Sequence, residues 1–294
     1  MWDSSQINGR IMKRKDDLPH KNDVVETEIN RLIETSMKTR LWRKDYEKVR
    51  EKLLWQENHC RWQIRELKKI FKNLKGKSFL DIGCGKGGLV VALSLEGAQS
   101  YGIDIRKRNC RITFLRGLRH GHNIAVIQGN GEDLPFSAGM FDGVTAIEVL
   151  EHTVNPLRFI SEIKRVLKKD GSVLMTATNR LCAIDPHYKI PGPSLLPKII
   201  GKYLIRKLGR QKPDSKDLQD FGVMSYVTYA ELSRVAKKLN FRLLDLREKQ
   251  WVDKIKAEKS VIKKFYFNFR KLIYCARRVL ILGPENFRVA LLPN

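Results

Sequence analysis

The segment that most constrains the fold is a glycine-rich turn between two apolar runs. Residues 81–89 read Asp-Ile-Gly-Cys-Gly-Lys-Gly-Gly-Leu. Residues 78–80 before them are typical of a strand, and residues 89–93 after them are typical of a buried helix. Glycines let a backbone approach a ligand closely, and the free N–H groups at a helix start supply hydrogen-bond donors. The segment therefore predicts a strand, a turn and a helix that bind a nucleotide-like ligand.

Two kinds of ligand fit this turn. Gly83, Gly85 and Gly88 have the G-x-G-x-x-G spacing of a dinucleotide site, in which a pyrophosphate lies on the helix N-terminus. Asp81 favours a different ligand, because its carboxylate would repel a pyrophosphate but suits a cationic amino-acid group. The Asp-x-Gly-x-Gly-x-Gly series from Asp81 to Gly87 resembles motif I of class I S-adenosylmethionine (SAM) methyltransferases. This resemblance favours SAM over NAD.

Two later segments also predict binding of a nucleoside. A short strand ends at Asp104, whose carboxylate can accept hydrogen bonds from both ribose hydroxyls of SAM or of NAD. A third strand, residues 123–128, leads into Gly-Asn-Gly-Glu, which resembles the adenine-binding turn of the family with Asn130 where the family has Asp. The amide oxygen of Asn130 can accept a hydrogen bond from the adenine amino group. An ordinary tight turn at Asn130 and Gly131 is the alternative.

Strands alternate with helices along the chain. Residues 141–147 predict a fourth strand, residues 156–169 a helix and residues 172–177 a fifth strand. Residues 241–246 and 287–292 predict the sixth and seventh strands. This alternation predicts an α/β fold with a doubly wound, mostly parallel seven-stranded sheet, the Rossmann-like fold of methyltransferases.

The resemblance to class I methyltransferases covers about residues 74–180. It implies an enzyme that binds SAM, and it implies roles for individual residues. Those expected to contact SAM are Asp81, Gly83, Cys84, Gly85 and Gly87 near the methionine part, Asp104 at the ribose, Asn130 and Gly131 at the adenine, and Glu148 beside the bound cofactor.

Glu148, Glu151 and His152 form a Glu-x-x-Glu-His string after the fourth strand. The string resembles the magnesium-binding element of ubiquinone-pathway O-methyltransferases and of small-RNA 2′-O-methyltransferases. Oxygen ligands suit Mg²⁺, and a bound metal lowers the pKa of a hydroxyl that it contacts. Many metal-free members of the fold carry a similar Glu-His pair in a structural role. We favour that interpretation and keep Mg²⁺ as the alternative.

His187 and Tyr188 are the candidates for contact with the acceptor or for a general base, together with His152. A neutral imidazole titrates near the working pH of most enzymes. A structural role is the alternative for a histidine in such a proline-rich loop. The surrounding segment, residues 179–197, resembles bacterial methyltransferases of cell-surface glycan synthesis. That resemblance implies a glycan or a lipid-linked small molecule as acceptor.

The positive charge of the chain is unevenly distributed. The net charge is +25, yet residues 78–185 hold 13 Lys/Arg against 11 Asp/Glu. Residues 1–77 hold 20 against 12, and residues 186–294 hold 24 against 9. The positive field therefore surrounds the predicted cofactor core, and it fits an anionic membrane, a nucleic acid or a phosphorylated substrate. A basic composition that serves solubility alone is the other interpretation.

Composition changes along the chain predict five parts, two of which contain basic amphipathic segments. Such segments fit a membrane surface, and packing on this chain or on a second subunit is the alternative. The parts are a disordered segment 1–23, a helical region 24–75, a SAM-binding core 76–185, a basic amphipathic insertion 186–225 and the rest of the core 226–294 with a basic helix 254–280.

Neither a membrane-spanning segment nor a secretory signal is evident in the sequence. No apolar run approaches the ~20 residues of a spanning helix, and the first 17 residues hold no apolar stretch. The five scattered cysteines include no C-x-x-C pair, which predicts reduced thiols and no structural zinc. We therefore expect a cytoplasmic protein with a peripheral contact at the inner face of the membrane.

These features together predict a SAM-dependent methyltransferase that acts on an oxygen of a glycan or lipid-linked small molecule at a membrane surface. Two alternatives stay open. Charge and the Glu-x-x-Glu-His string also fit an RNA methyltransferase, including a metal-dependent 2′-O enzyme, although no recognised RNA-binding module is present. A SAM-binding protein without activity is the second alternative.

Overall fold

The structure is a computed structural model, and it describes residues 21–38, 44–182, 184–185, 187–188, 196–208, 225–279 and 286–294 of the 294-residue chain. Two predicted parts lie largely outside these residues. Of segment 1–23 only residues 21–23 are described, and they begin a helix. Of the insertion 186–225, only 187–188, 196–208 and 225 are described.

Within the described residues, ten α-helices are distributed along the whole chain. Two short 3-10 helices, Gln56–His59 and Leu150–His152, follow helix α2 and strand β4. The helices are α1 Lys21–Met37, α2 Tyr46–Leu54, α3 Arg61–Phe71, α4 Gly88–Leu95, α5 Lys107–Arg119, α6 Pro156–Val166, α7 Lys198–Lys207, α8 Tyr229–Lys238, α9 Leu246–Ala257 and α10 Val261–Val279.

Seven strands form a mixed sheet in the order β3-β2-β1-β4-β5-β7-β6. The predicted α/β class and the number of strands are therefore confirmed. The strands are β1 Ser78–Ile82, β2 Gln99–Asp104, β3 Ala125–Gln128, β4 Phe141–Ala146, β5 Leu167–Thr178, β6 Phe241–Asp245 and β7 Asn286–Pro293.

The chain divides into two compact units, of which the first comprises Met1–Ala146 and Arg165–Gly171. In this unit, β1 pairs in parallel with β2 and β4, and β2 pairs in parallel with β3. All five residues of β1 are buried, as expected for a central parallel strand that is covered on both faces. The carboxyl ends of these strands therefore come together at one edge of the sheet.

The N-terminal helices belong to the first unit, and α1 packs against α2 and α5. The buried apolar residues of α1 recur every four positions, which places them on one side of the helix. They form a buried cluster with two residues of α5. The members of the cluster are Val25, Ile29, Ile33 and Met37 of α1 and Ile112 and Leu115 of α5.

The second unit comprises Ile147–Lys164 and Ser172–Asn294. Its strand β7 pairs antiparallel with both β5 and β6. Helix α8 begins with a capping box: the Thr228 hydroxyl accepts from the Glu231 N–H, and the Glu231 carboxylate accepts from the Thr228 N–H at 2.8 Å. No helix among the described residues is long and apolar enough to span a bilayer.

The basic segment 254–280 differs from the single helix that the sequence predicts. α9 ends at Ala257 and α10 begins at Val261. Glu258 Oε1 accepts hydrogen bonds from the N–H groups of Lys259 and Ser260, both at 3.0 Å. The Ser260 hydroxyl in turn accepts from the Lys263 N–H at 3.4 Å. These side chains satisfy backbone donors between the helices, so that two helices replace one.

The chain near residue 167 also differs from the prediction. The helix predicted over residues 156–169 ends at Val166, and β5 begins at the next residue instead of at Ser172. The predicted break at Asp170 and Gly171 thus lies within the long strand. A side chain at Gly171 would bring its Cβ to 3.0 Å from the Asp142 carbonyl, so glycine here permits a close approach to β4.

Candidate functional site

The predicted SAM contacts before residue 147 all lie in the first unit, around the carboxyl ends of β1, β2 and β3. The other predicted site residues lie in the second unit. The first-unit residues are Asp81, Gly83, Cys84, Gly85, Gly87, Asp104, Asn130 and Gly131, and the second-unit residues are Glu148, Glu151, His152, His187 and Tyr188.

Asp81 is a buried carboxylate near the end of β1. Its Oδ1 accepts a hydrogen bond from the Thr145 hydroxyl of β4 at 2.6 Å. Burial raises the pKa of Asp81 to about 7; the Thr145 hydrogen bond opposes this rise, and the nearby charge of Asp104 adds to it. A cationic group beside this carboxylate would favour its ionised form. The environment of Asp81 therefore suits an ammonium group better than a phosphate.

The turn after β1 has the backbone conformation that glycine adopts most readily. The φ angles of Gly83, Gly85 and Gly87 are 63°, 56° and 81°, all in the left-handed region. A side chain at Gly87 would place its Cβ only 2.5 Å from Thr113 of α5. The start of α4 therefore approaches α5 as closely as a residue without a side chain allows.

Asp104, the last residue of β2, is held by hydrogen bonds to this turn and to α5. Its Oδ2 accepts from the Gly85 N–H at 2.9 Å, and its Oδ1 accepts from the Arg106 N–H at 2.8 Å and the Asn109 amide at 3.0 Å. A carboxylate has about four acceptor positions, so one position remains for a ribose hydroxyl. These contacts fix the carboxylate beside the glycine turn and leave one of its acceptor positions open.

Cys84 lies buried between these two acids. Its N–H donates to the Ile103 carbonyl at 3.0 Å, and its Sγ lies 3.9 Å from the Thr113 hydroxyl. Burial, together with the negative charges of Asp81 and Asp104, raises the pKa of the Cys84 thiol well above its ordinary value. The residue therefore acts as a small neutral side chain that fills the turn.

The side chain of Asn130 stabilises the turn in which it lies. Its amide oxygen accepts from the Glu132 N–H at 3.0 Å, and Asn130 also forms an isolated β-bridge with Asp133. The preceding Gly129 N–H donates to the Asp104 carbonyl at 3.1 Å, which places the turn beside the end of β2. The contact of Asn130 and Gly131 with an adenine stays a prediction.

Arg116 of α5 is a functional candidate that sequence reasoning missed. This fully buried guanidinium donates to the Lys86 carbonyl of the glycine turn at 2.9 Å. It also donates to the carbonyls of Leu53 and Leu54 at 2.7 and 2.6 Å and pairs with the buried Glu57 carboxylate. One side chain therefore joins the glycine turn to the end of α2 and the 3-10 helix that follows it. An arginine inside the apolar run of α5 was the available signal.

A second contact joins the same segment to the start of α4. A side chain at Gly88 would place its Cβ 2.7 Å from the Gln56 side chain, so the 3-10 helix lies directly on this glycine. His120 Nε2 lies 2.8 Å from Glu57 Oε1. Burial would raise the pKa of Glu57, but the charge of Arg116 and the hydrogen bond with His120 lower it overall. Glu57 is therefore an ionised partner of the buried arginine.

In the second unit, Glu148 has a strained backbone. Its φ is 58°, a value that residues other than glycine rarely adopt, and its N–H donates to the Thr176 hydroxyl at 2.7 Å. Its side chain is exposed. Strain of this kind is concentrated at functional sites, which supports the selection of Glu148, but its contact with SAM stays a prediction.

Glu151, His152 and His187 form a compact cluster in the second unit. One potential ligand atom of each lies within 4.8 Å of the others. Glu151 is buried: its Oε1 accepts from the Thr178 hydroxyl at 2.9 Å and lies 3.6 Å from His187 Nε2. Glu151 Oε2 has no hydrogen-bond partner among the described residues. The structure therefore brings together two histidines and a carboxylate that are up to 36 positions apart in the chain.

The charge state of Glu151 follows from its neighbours. Burial alone would raise its pKa, but the polar contact with His187 and the charges of both histidines lower it overall. The rings of His152 and His187 meet edge to face at 5.5 Å. An ionised carboxylate beside an imidazole orients the ring and stabilises its protonated form, which is the arrangement that a general base requires.

Tyr188 is buried and packs with Ile205 and Tyr226. Its N–H donates to Asp185 Oδ1 at 2.8 Å, as does the N–H of His187. Burial and the neighbouring Asp185 carboxylate raise the pKa of Tyr226, whose ring stacks on that of His187 at 6.2 Å. The described surroundings of Tyr188 are those of a core residue that supports His187, and its contact with an acceptor stays a prediction.

The cluster differs from the metal site that the sequence offered as an alternative. That alternative used Glu148, Glu151 and His152, whereas the described residues group Glu151 and His152 with His187. Mg²⁺ prefers oxygen ligands, while two imidazoles and one carboxylate are typical of Zn²⁺ and related ions. The donor set therefore does not fit Mg²⁺.

Two protein-family models match parts of the chain. Residues 80–175 match a model described as "Methyltransferase domain", and residues 34–119 match one described as "Predicted AdoMet-dependent methyltransferase". The first range runs from within β1 to most of β5, and the second runs from the last turn of α1 to the end of α5 and includes the glycine turn. Both ranges contain Asp81, the glycines and Asp104.

Curated relatives carry the name ubiquinone biosynthesis O-methyltransferase. The relative from Marinobacter nauticus is 31% identical over 178 residues, which is 56% of this chain and 73% of that protein. The relative from Vibrio parahaemolyticus is 37% identical over 108 residues, 36% of this chain and 46% of that protein. The chain thus spans about half the length of the Vibrio relative, and more of the Marinobacter one.

Solved structures share the fold at low sequence identity. Magnesium protoporphyrin IX methyltransferase from Synechocystis PCC 6803, solved with bound SAH, aligns with a TM-score of 0.50 and 15% identity. The alignment covers 92% of this chain and 100% of that chain. At this identity the likeness extends to the fold alone.

Proposed function

Because the chain belongs to the class I SAM-dependent methyltransferase family, we propose that it transfers the methyl group of SAM to an oxygen of a glycan or lipid-linked small molecule at a membrane surface. Membership confirms the resemblance seen in the sequence. The observation that carries the proposal is the glycine turn, which has buried Asp81 on one side and the fixed carboxylate of Asp104 on the other.

The first unit supplies the groups that would bind the cofactor. Bound SAM supplies a methyl group that its sulfonium has already activated. Asp81 would attract the ammonium of the methionine part, and Asp104 would accept a hydrogen bond from one ribose hydroxyl. Asn130 would accept from the adenine. Because the methyl group is activated, the main task of the protein is to hold the acceptor oxygen in line.

The second unit contains a candidate base. In this proposal His187 removes the hydroxyl proton, and the buried Glu151 carboxylate orients the ring and stabilises the imidazolium. His152 lies against His187 and completes the polar cluster. An oxygen acceptor is also supported by the names of the relatives, which are O-methyltransferases.

A lipid-linked acceptor is supported by two features. The relatives are named for ubiquinone biosynthesis, and the basic helices of the second unit expose apolar residues. In α7, Ile199, Ile200 and Tyr203 are exposed beside Lys202 and Arg206. Exposed apolar side chains among cations suit an interface with anionic headgroups. The loose resemblance to glycan methyltransferases supports a glycan part of the acceptor.

An RNA methyltransferase is the second candidate function. It is favoured by the 24 Lys/Arg against 9 Asp/Glu in residues 186–294 and by the cluster of Glu151, His152 and His187. Such an enzyme would need a metal that accepts nitrogen ligands, so a chelator should abolish its activity and Zn²⁺ or Mn²⁺ should restore it. Activity that is indifferent to the chelator removes this candidate in its metal-dependent form.

The test is transfer of labelled methyl from SAM into a lysate of the source cells, separated into lipid, nucleic-acid and aqueous fractions. We expect label in the lipid or glycolipid fraction with the native chain and about 100-fold less with His187→Ala. His59→Ala is the matched control, since His59 is exposed in the first unit. Label in RNA would replace the proposal with the second candidate. SAM binding without any transfer would identify a non-catalytic SAM-binding protein.

A further inference from the structure

Helix α10 is fixed to the second unit by one of its sides. The ring of Phe267 contacts that of Trp251 in α9, with centroids 6.1 Å apart. The hydroxyl of Tyr274 donates to Asp245 Oδ2 at 2.9 Å. Phe267 and Tyr274 are seven positions apart, so both face the same side of the helix. These contacts hold α10 in place without help from its other side.

The other side of α10 carries a second apolar stripe, which the described residues leave in solvent. Its four members are separated by three, four and three residues and therefore align along the helix. Side chains this large and this exposed rarely occur in a row on a protein surface unless a partner covers them. The outer stripe consists of Ile262, Phe265, Phe269 and Leu272, with exposures of 82%, 75%, 54% and 66%.

The charge of α10 selects among the partners that could cover the outer stripe. The helix sequence contains six Lys/Arg and no Asp or Glu. Lys263 and Arg270 are exposed beside the stripe. A second copy of this chain would bring an equally basic surface against it, which is unfavourable. Nucleic acid matches the charge, but two of the four members of the stripe, Ile262 and Leu272, offer no ring on which a base can stack.

We propose that the outer stripe of α10 inserts into the surface of an anionic lipid bilayer. The helix lies in the plane of the interface, with Phe265 and Phe269 among the acyl chains and Lys263 and Arg270 at the headgroups. This proposal deepens the proposed function, on which its biological purpose rests. Lipid binding itself requires no methyl transfer, so the two can be tested apart.

The experiment is vesicle flotation with the full chain. One set of vesicles contains phosphatidylcholine alone, and the other contains roughly a third phosphatidylglycerol. We expect binding to the anionic set, weakened by salt, and much weaker binding to the neutral set. Phe265→Ser with Phe269→Ser should lower the partition coefficient about 100-fold, because two phenyl rings no longer enter the acyl region.

Matched variants separate this stripe from general apolar and basic surface. Val24→Ser with Leu95→Ser removes two exposed apolar residues of the first unit, and we expect vesicle binding within twofold of native. Lys263→Gln should weaken binding to anionic vesicles about fivefold. All variants should retain native SAM affinity by calorimetry, which shows that they are folded.

Three outcomes would overturn the proposal. The first is absence of vesicle binding by the native chain. The second is unchanged binding in the double phenylalanine variant. The third is a native dimer in light scattering that the same variant dissociates, since the stripe would then be a subunit interface. Vesicle binding without methyl transfer would instead refute the proposed function and leave this inference intact.

Discussion

Helices α1 and α10 each carry a stripe of apolar side chains at helical spacing, but they differ in what covers the stripe. α1 has 17 residues and buries Ile29 and Ile33 completely, while α10 has 19 residues and leaves Ile262 and Phe265 mostly exposed. Periodicity therefore predicts that a helix forms and which side is apolar. It does not predict whether the chain itself supplies the cover.

The charges of the two helices reflect this difference. α1 contains acids, and two of them pair with arginines of neighbouring helices: Glu26 with Arg119 at 2.6 Å and Glu34 with Arg50 at 2.9 Å. α10 contains no acid. Specific pairs of opposite sign fix α1 on one partner within the chain. The charged residues of α10 are all cationic, so the helix matches an extended anionic surface.

The largest expected effect concerns the buried anchor of the N-terminal segment. Arg116→Met deprives the buried Glu57 carboxylate of its fully buried cationic partner and leaves it only His120 and Arg119, so we expect the free energy of unfolding to fall by about 3–5 kcal/mol. Affinity for SAM should fall too, because the Lys86 carbonyl loses its donor. Denaturant unfolding and calorimetry measure both. Arg61→Met, at an exposed position of α3, should change stability by under about 0.5 kcal/mol.

A matched pair of truncations compares the two apolar faces directly. Ile29→Ala should destabilise the chain by about 2–4 kcal/mol, because it opens a cavity between α1 and α5. Ile262→Ala should cost under about 0.5 kcal/mol. Both are measured by urea unfolding of the full chain. Equal losses would mean that α10 is covered in the free protein, and the contrast between the helices would disappear.

The buried carboxyl of Asp81 and the exposed cations of α10 should respond differently to pH. The pKa of Asp81 is raised to about 7, so its ionised fraction rises about tenfold between pH 6 and 8. We expect SAM to bind about tenfold more tightly at pH 8 than at pH 6, and Asp81→Asn to abolish this dependence. Helix α10 contains no Asp, Glu or His, so vesicle binding should be constant over the same range.

The raised pKa of Asp81 also has a consequence for stability. The folded state binds the carboxyl proton of Asp81 more tightly than the unfolded state does. The stability that this protonated carboxyl contributes is therefore lost as pH rises from about 4 to about 7. Asp81→Asn should therefore be more stable relative to native at pH 8 than at pH 5. A thermal unfolding series across this range measures it, and a pH-independent difference would place the carboxylate in a more polar environment.

The smallest expected effect concerns the inner side of α10. Tyr274→Phe removes the hydrogen bond to Asp245, and we expect about 1 kcal/mol less stability. Vesicle binding should stay within twofold of native, because the outer stripe is untouched. A large loss of vesicle binding would mean that the inner contacts set the orientation of α10 at the membrane.

Features that depend on residues close together in the sequence could be predicted. The glycine turn and the acid at the end of β2 depend on short local patterns of sequence, and each is in the predicted place. The Glu258 and Ser260 caps that separate α9 from α10 are equally local. They could have been recognised from an acid and a serine that precede an apolar helical pattern.

The long-range contacts were beyond the same reasoning. His187 joins Glu151 and His152 only because two distant segments meet, and no spacing rule connects them. Arg116 is fully buried although arginine is ordinarily exposed, because four carbonyl and carboxylate partners from separate segments surround it. Such partners are determined by tertiary packing, which the sequence pattern does not encode.

The buried thiol of Cys84 has a consequence for the chemical durability of the glycine turn. A thiolate is a strong nucleophile, and one beside an activated methyl donor would compete with the true acceptor and be alkylated. Burial and the adjacent carboxylates raise the pKa of this thiol, so it stays protonated at neutral pH. The turn that would hold the donor is thereby protected from modification by its own cofactor.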